Sequence, residues 1–374
     1  MFIDRVWKQI ERKMAVEVTR AGRAIPYIAE NGKYEKDFAK RDICWWTNGF
    51  WGGILWQMYH ATNEEIYKKM ACDVEFELDR AFADSMHLDH DVGFMWLHTA
   101  VAHWRLTQDP KALNRGILAA HFLAGRYNPA GKYLCAWNEG RPGWMIIDCL
   151  MNLSLLYWAS DVLEDPRFRQ IAENHADTAL KFLVRENGAC YHIGVLDPNT
   201  GELLQTPAGQ GYAAGSVWSR GQAWGIYGFS LSYKHTHKKE YLTAAKKIAE
   251  YFMTQVKLTG YIPRCDFSAP DIPEVWDTTA GCIAACGFLE LASFVTGEEA
   301  SFYKKNAIQL LQAIEKKYCN WDISEDGIVT GGTVSYGDIY GTEVNSFVHV
   351  PIIYGDYFFI EAILRLKNMD IFLW

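Results

Sequence analysis

The stretch RPGWMIIDCLMNLSLLYWAS, residues 141–160, holds a single carboxylate, Asp148, among apolar side chains. An ionised carboxylate in such surroundings is costly unless it is hydrogen-bonded or takes up a proton. A carboxyl whose pKa is pushed up in this way is what a general acid needs near neutrality. Two plainer roles compete with that one, capping a helix N-terminus and pairing with a buried arginine. A second aspartate, Asp91, stands in HDVGFMW, and a third, Asp277, precedes TTAGCIAACGFLEL. Two acids set into apolar helices and facing one dry pocket repel as anions, which pushes one pKa up. Asp277 is read as a cap.

Other chemistries find less support. The nine cysteines are scattered, and the one close pair, Cys282 and Cys286, sits a helical turn apart in AGCIAACGFLEL. They read as buried reduced thiols. No Cys or His cluster has zinc-ligand spacing, so neither a metal nor a cofactor is expected. The formal net charge is -8, from 45 acidic and 37 basic residues, without a long basic block. That argues against nucleic acid as a partner but leaves room for a small anion in a locally positive pocket. The start of the chain, MFIDRVWKQIERKM, lacks the apolar core of a secretory signal, and no apolar stretch is long enough to span a bilayer. A cytoplasmic protein with no membrane partner, monomeric or homodimeric, is the expectation.

Fifteen Trp, 20 Tyr and 19 Phe exceed what an ordinary core requires, and many of these rings lie in Gly-rich connections. Rings in loops commonly face ligands, and sugars offer apolar C–H faces to stack on them, although large loops also bury aromatics to pack themselves.

The elements that position these residues follow a repeat. Five segments share one plan, beginning near NGFWGGILWQMYHATNEEIYKKM, DVGFMWLHTAVAHWRLTQDPKAL, DCLMNLSLLYWASDVLEDPRFRQIA, GQAWGIYGFSLSYKHTHKKEYLTAA and DTTAGCIAACGFLELASFVTGEEASFY. Each opens on a helix that is apolar round most of its circumference, turns through a short polar stretch, and enters a helix with a one-sided apolar stripe. The first kind is buried and the second lies at the surface. A striped helix over residues 2–14 and an apolar one in GDYFFIEAILRL supply a sixth pair from the two ends of the chain. The predicted architecture is an all-α (α/α)6 barrel, a single domain over 1–374, with few short strands confined to loops. The long connections run from each outer helix to the next inner one, so they gather at the end where the inner helices start. That mouth is the expected site, and it also collects helix N-termini that favour an anion.

The motifs WTNGFWGG, HDVGFMW, PGWMIIDCLMNL and WSRGQAWGIYG resemble, in order and separation, the unsaturated glucuronyl hydrolases of glycoside hydrolase family 88. The resemblance runs from about Trp45 to about Glu290 and returns in GDYFFIEAILRL. It implies a small oligosaccharide substrate whose non-reducing end is a 4,5-unsaturated uronic acid, the product of polysaccharide lyases. Asp148 matches the family's catalytic acid and base. Asp91 matches a second essential aspartate that would hold Asp148 and water in place, the two titrating as a coupled pair. Arg220 and Trp224, four residues apart on one helical face, match positions around the sugar, with an inter-loop salt bridge as the other role for Arg220. Gln210 matches a glutamine near the unsaturated ring. Trp46 and Trp137 are candidate stacking platforms, and Tyr336 in VSYGD is a further match. His90 and His192 are candidate hydrogen-bond partners to the sugar, with satisfied structural roles as the alternative.

Position 48 is Asn where relatives often carry Asp, and the loop SYGDIYGTEVNSFVHVP has no Ser/Lys/Arg cluster to grip a sulfated aminosugar. The leading expectation is a metal-free hydrolase of unsaturated glucuronyl disaccharides from glycosaminoglycans such as chondroitin or hyaluronan. An unsaturated rhamnogalacturonyl hydrolase of pectin products keeps the chemistry with another substrate. A sugar isomerase or epimerase would instead use His90 and His192 as acid and base. A non-catalytic helical-repeat scaffold is disfavoured by the unequal repeats and the long aromatic loops.

Overall fold

The computed structural model describes residues 2–138, 140–337 and 347–374. Residues 338–346 of the loop SYGDIYGTEVNSFVHVP, on which the reading about sulfated sugars partly rests, lie outside the described residues.

The inner helices are α3 (Asn48–Thr62), α8 (Cys149–Leu163), α10 (Ser219–Thr236), α12 (Thr278–Ser293) and α14 (Ile353–Leu366), together with a broken one. The broken helix comprises α5 (Val92–Trp96), a π turn over Leu97–Val101 and α6 (Ala102–Thr107). The sequence pattern had not distinguished it from a regular helix. Each packs on the next around the circle, α3 on α5, α5 on α8, α8 on α10, α10 on α12, α12 on α14 and α14 back on α3. The ring therefore closes through the two ends of the chain.

Outside it lie α1 (Phe2–Ala21), α4 (Glu65–Leu78), α7 (Pro110–Ala124), α9 (Pro166–Leu183), α11 (Lys239–Leu258) and α13 (Gly297–Tyr318). A short helix, α2 (Phe38–Arg41), sits in the first connection. The two burial patterns are those the apolar spacing dictates. Every residue of α8 from Cys149 to Ser160 is buried, whereas α9 buries Phe168, Ala172, Ala176, Ala179 and Leu183 along one stripe. The first outer helix runs seven residues beyond the predicted Met14, its stripe continuing through Val18.

Local chemistry sets the hairpins. Asn63, Gln108, Glu164 and His237 each take a left-handed conformation (φ 54–59°) right after an inner helix, and each donates its N–H back to that helix. In two hairpins an Asp-Pro pair follows at once, Asp109 and Asp165 capping the outer helix while the proline opens it. Reversal is thus achieved within two or three residues. The return connections are long and hold the few strands: β1 (Tyr127–Asn128) pairs with β2 (Tyr133–Leu134), and β3 (Trp144–Ile146), β4 (Ile193–Leu196) and β5 (Leu203–Gln205) form one antiparallel sheet. All nine cysteines are free, with Cys282 and Cys286 buried. Among the described residues no helix is long and apolar enough to cross a membrane.

Candidate active site

The long connections enclose a cavity of about 920 Å³ at the end where the inner helices begin. Trp46, Asp91, Trp137, Asp148, His192 and Gln210 line it, six residues drawn from four separate connections.

Position at a helix start decides what the aspartates do. Asp91, Asp148 and Asp277 all occupy N-cap positions, of α5, α8 and α12. Only Asp277 caps, its carboxylate accepting from the Thr279 N–H at 3.1 Å. The carboxyls of Asp91 and Asp148 accept nothing from their own helices. Both are turned to the cavity instead.

Asn152 ties the two acid-bearing helices together. It follows Asp148 by one turn of α8, and its Nδ2 donates to Asp91 Oδ1 at 2.9 Å while its Oδ1 accepts from Phe94 N–H at 2.8 Å. The approach is close because residue 93 is glycine: a Cβ there would lie 2.4 Å from Asn152 Oδ1 and 2.7 Å from its Cα. Burial, then the nearby charges of Asp89 and Asp148, push the Asp91 carboxyl well above the usual range. The acid that the family resemblance names is its neighbour, Asp148.

His192 stands over the other acid. Its Nδ1 accepts from Gln210 N–H at 3.0 Å, which leaves the ring hydrogen on Nε2, 3.4 Å from Asp148 Oδ1. The ring packs on Trp218 at 4.3 Å, so its orientation is fixed from both faces of the loop. Gln210 in turn accepts from Tyr336 N–H at 2.9 Å, which links the 209–210 turn to the last connection.

Four predicted binding residues lie elsewhere. Arg220 is 1% exposed and does not line the cavity. It pairs with Asp277 and donates to the carbonyls of Thr333 and Val334, the salt bridge that was the second reading of this residue. Trp224, one turn further, is buried against Phe94 and Phe358 in the barrel core. An all-round apolar helix buries both faces of a turn, so the i, i+4 spacing could not place the pair at the mouth. Tyr336 is buried edge-on against Tyr212 at 5.1 Å. His90 is fully buried behind Asp91 and contacts acid and loop rather than cavity.

The cavity also contains residues that the sequence reading passed over. Asp89 and Trp144 line it, as does Arg141, whose guanidinium lies over the Trp137 and Trp144 rings at 5.7 and 5.1 Å. Trp144 stands in the PGWMII motif beside Asp148, and Asn152 one helical turn after Asp148, so proximity in sequence was the available signal. Asn48 faces inward at the loop base, donating to the carbonyls of Asp42 and Ile43, an anchoring role in keeping with a neutral side chain. Asp89, His90 and Asp91 offer atoms within 4.8 Å of one another that could ligate a cation, though His90 Nδ1 already meets the Ala136 carbonyl.

Residues 20–258 match the sequence profile of Glycosyl Hydrolase Family 88. The chain belongs to glycoside hydrolase family 88. A family member from Bacillus sp. (strain GL1), named unsaturated glucuronyl hydrolase, is 34% identical over 95% of this chain and 94% of its own length. An unsaturated chondroitin disaccharide hydrolase of Streptococcus pyogenes serotype M1 is 31% identical over 88% of this chain and 83% of its own. Among solved structures, the unsaturated glucuronyl hydrolase of Bacillus sp. GL1, responsible for the degradation of glycosaminoglycan, superposes with a TM-score of 0.89 at 33% identity, covering 97% of both chains. A variant of the Streptococcus agalactiae enzyme complexed with dGlcA-GalNAc6S gives 0.82 at 28% identity, over 97% of this chain and 91% of that one. The family's (α/α)6 barrel is the fold described above.

Proposed function

We propose that the chain is an unsaturated glucuronyl hydrolase that removes the 4,5-unsaturated uronic acid from the non-reducing end of glycosaminoglycan disaccharides and short oligosaccharides left by lyases. The family membership supports the reaction class, and the names and bound sugars of its relatives support the substrate class. One observation carries the reading to these residues: two aspartates at helix starts, neither used as a cap, face one aromatic-lined cavity and are bridged by Asn152.

The substrate's conjugated vinyl ether calls for hydration rather than displacement at the anomeric carbon. A carboxyl delivers a proton to C4, water adds at C5, and the hemiketal so formed opens the ring and releases the neighbouring sugar. In this reading Asp148 delivers the proton and accepts one from water, Asp91 holds the pair in register, and His192 and Gln210 fix the position of Asp148 and the incoming ring. Trp46, Trp137 and Trp144 supply stacking faces. The barrel, 1–374, acts as one catalytic domain, and nine free cysteines support work in a reducing compartment.

The test is loss of ultraviolet absorbance, since hydration destroys the conjugated double bond. Unsaturated chondroitin and hyaluronan disaccharides are expected to lose absorbance with the wild-type chain and to keep it with Asp148→Asn. Near-normal turnover by that variant would remove the mechanism. Turnover confined to pectin-derived products would move the substrate while keeping the chemistry.

A further inference from the structure

Arg141 is a cation of the cavity wall that the acid chemistry leaves unused. Its guanidinium lies over two indoles, Trp137 at 5.7 Å and Trp144 at 5.1 Å, and those rings meet each other edge to face at 5.9 Å. Its backbone is pinned as well. The Arg141 carbonyl accepts from Trp144 N–H at 3.2 Å and from the Cys135 thiol at 3.3 Å, and the Pro142 carbonyl accepts from the Tyr133 hydroxyl at 2.6 Å. Residue 143 is held to glycine, because a Cβ there would lie 1.9 Å from the Leu196 carbonyl oxygen. The side chain is thus presented from a clamped turn on an aromatic seat, which lowers the ordering cost of binding.

Among the described residues no carboxylate pairs with Arg141, whereas Arg80 and Lys40 on the same cavity are engaged by Glu77 at 3.0 Å and Asp37 at 3.2 Å. A guanidinium stays charged and carries five N–H donors in a planar fork that fits two oxygens of one anion. Trp137 sets where that fork stands along the cavity. Its ring also meets His90 edge to face at 5.9 Å, and His90 in turn lies 3.2 Å from Asp91. One indole therefore separates Arg141 from the acid pair. With the unsaturated ring against Asp91 and Asp148, Arg141 faces the saccharide that departs.

We propose that Arg141 is a specificity-determining residue that binds an oxyanion on the departing saccharide, either a sulfate ester of the sugar next to the unsaturated ring or the carboxylate of the uronic acid beyond it. The proposal rests on the hydrolase reading for the orientation of the substrate. It puts the anion grip on the wall of Trp137 and Trp144 rather than in the loop SYGDIYGTEVNSFVHVP, which has no Ser/Lys/Arg cluster. Asp89, Asp91 and Asp148 line the same cavity, so a cation fixed at its wall also offsets their repulsion of an anionic ligand.

Calorimetric binding to the full chain carrying Asp148→Asn tests this without turnover, with Arg141 intact or changed to Gln or Lys. The probes are unsaturated chondroitin disaccharides, unsulfated, 4-sulfated and 6-sulfated, and the unsulfated unsaturated chondroitin tetrasaccharide. With Arg141 intact, at least one sulfated disaccharide or the tetrasaccharide is expected to bind more tightly than the unsulfated disaccharide. Arg141→Gln should weaken that probe about tenfold more than it weakens the unsulfated disaccharide. Arg141→Lys keeps the charge without the planar fork and should recover only part of the difference. Dependence confined to the sulfated disaccharides identifies the ester, and dependence confined to the tetrasaccharide identifies the carboxylate.

An equal loss for all probes would make Arg141 a support for the two indoles and overturn the proposal. So would the absence of binding, or equal affinity for every probe. Arg41, over Phe38 at 5.5 Å, is the other cavity arginine without an ion pair among the described residues. Discrimination lost in Arg41→Gln but kept in Arg141→Gln would likewise overturn it. Turnover by the wild-type chain with no dependence on Arg141 would leave the hydrolase reading and remove this one. Binding that depends on Arg141 without any turnover by the wild-type chain would do the reverse.

Discussion

Asn152 Nδ2 donates to Asp91 Oδ1 across 2.9 Å, joining the helix that begins at Asp148 to the one that begins at Asp91. The bridge sets the spacing of the two acids, because the same amide also accepts from Phe94 N–H. Asn152→Leu keeps the branched heavy-atom outline and leaves both partners without a bond, at about 1–3 kcal/mol each. The expected result is a lowered thermal midpoint together with at least a tenfold loss of kcat/KM. A folded Leu variant with wild-type kcat/KM would show that the bridge does not position the acids.

Arg220 is predicted to matter for folding rather than for sugar binding. Its guanidinium is fully buried, pairs with Asp277 and holds the carbonyls of Thr333 and Val334, so it ties α10 to α12 and to the last connection. Arg220→Gln leaves Asp277 with an unmatched charge in the interior, a loss of roughly 3–5 kcal/mol. Denaturant unfolding should show that loss, while the fraction that remains folded should bind substrate with a KM within a few-fold of wild type. A large rise in KM without loss of stability would return Arg220 to the binding site.

Trp144 should contribute to the stacking that the sequence reading credited to Trp46 and Trp137. The two rings meet edge to face at 5.9 Å on the cavity wall, with Arg141 over both. An aromatic contact of this kind contributes about 0.5–1.5 kcal/mol beyond its area. Trp144→Ala is expected to raise KM about two- to tenfold with little change in kcat, measured by the absorbance assay. A fall in kcat at constant KM would instead mean that the ring supports the acids.

What the residue pattern made legible was whatever follows from period and punctuation. All-round apolar helices alternating with striped ones specified the barrel, and the long Gly- and aromatic-rich connections specified its mouth. Asp91 and Asp148 were legible because a charge is rare in an apolar helix. Arg220 and Trp224 match motif positions around the sugar, but such a match cannot say toward which side of a wholly buried helix a side chain turns, and both are buried off the cavity wall. The placement of His90 behind Asp91 depends on the Ala136 carbonyl, 46 residues away, and no local pattern carries that contact. The same holds for the seam that closes the ring, where acids from opposite ends of the chain meet.

At that seam, Glu17 on α1 is buried beside Asp356 on α14, and both accept from backbone N–H groups of the 327–329 turn. Burial, followed by the charge of Asp356, pushes the Glu17 carboxyl up to about 8, while the Gly327 N–H and Lys13 act against the rise. Burial raises Asp356 to about 6 against its two backbone donors. In both cases the folded chain keeps a proton that the unfolded chain releases near its ordinary value, 4.5 for Glu17 and 3.8 for Asp356. Stability then falls as pH rises between the unfolded and folded values, and levels off once Glu17 ionises in the folded state. Each tenfold difference in proton affinity between the two states is worth about 1.4 kcal/mol, so the effect is on the order of a few kcal/mol. The thermal midpoint should therefore decline from about pH 5 to about pH 8, and Glu17→Gln, which still accepts from Gly327 without carrying a charge, should flatten the decline. An unaltered slope in that variant would place the pH sensitivity elsewhere. Because α1 and α14 are the pair that closes the barrel, the wild-type decline should coincide with faster amide exchange in those two helices before the rest of the ring.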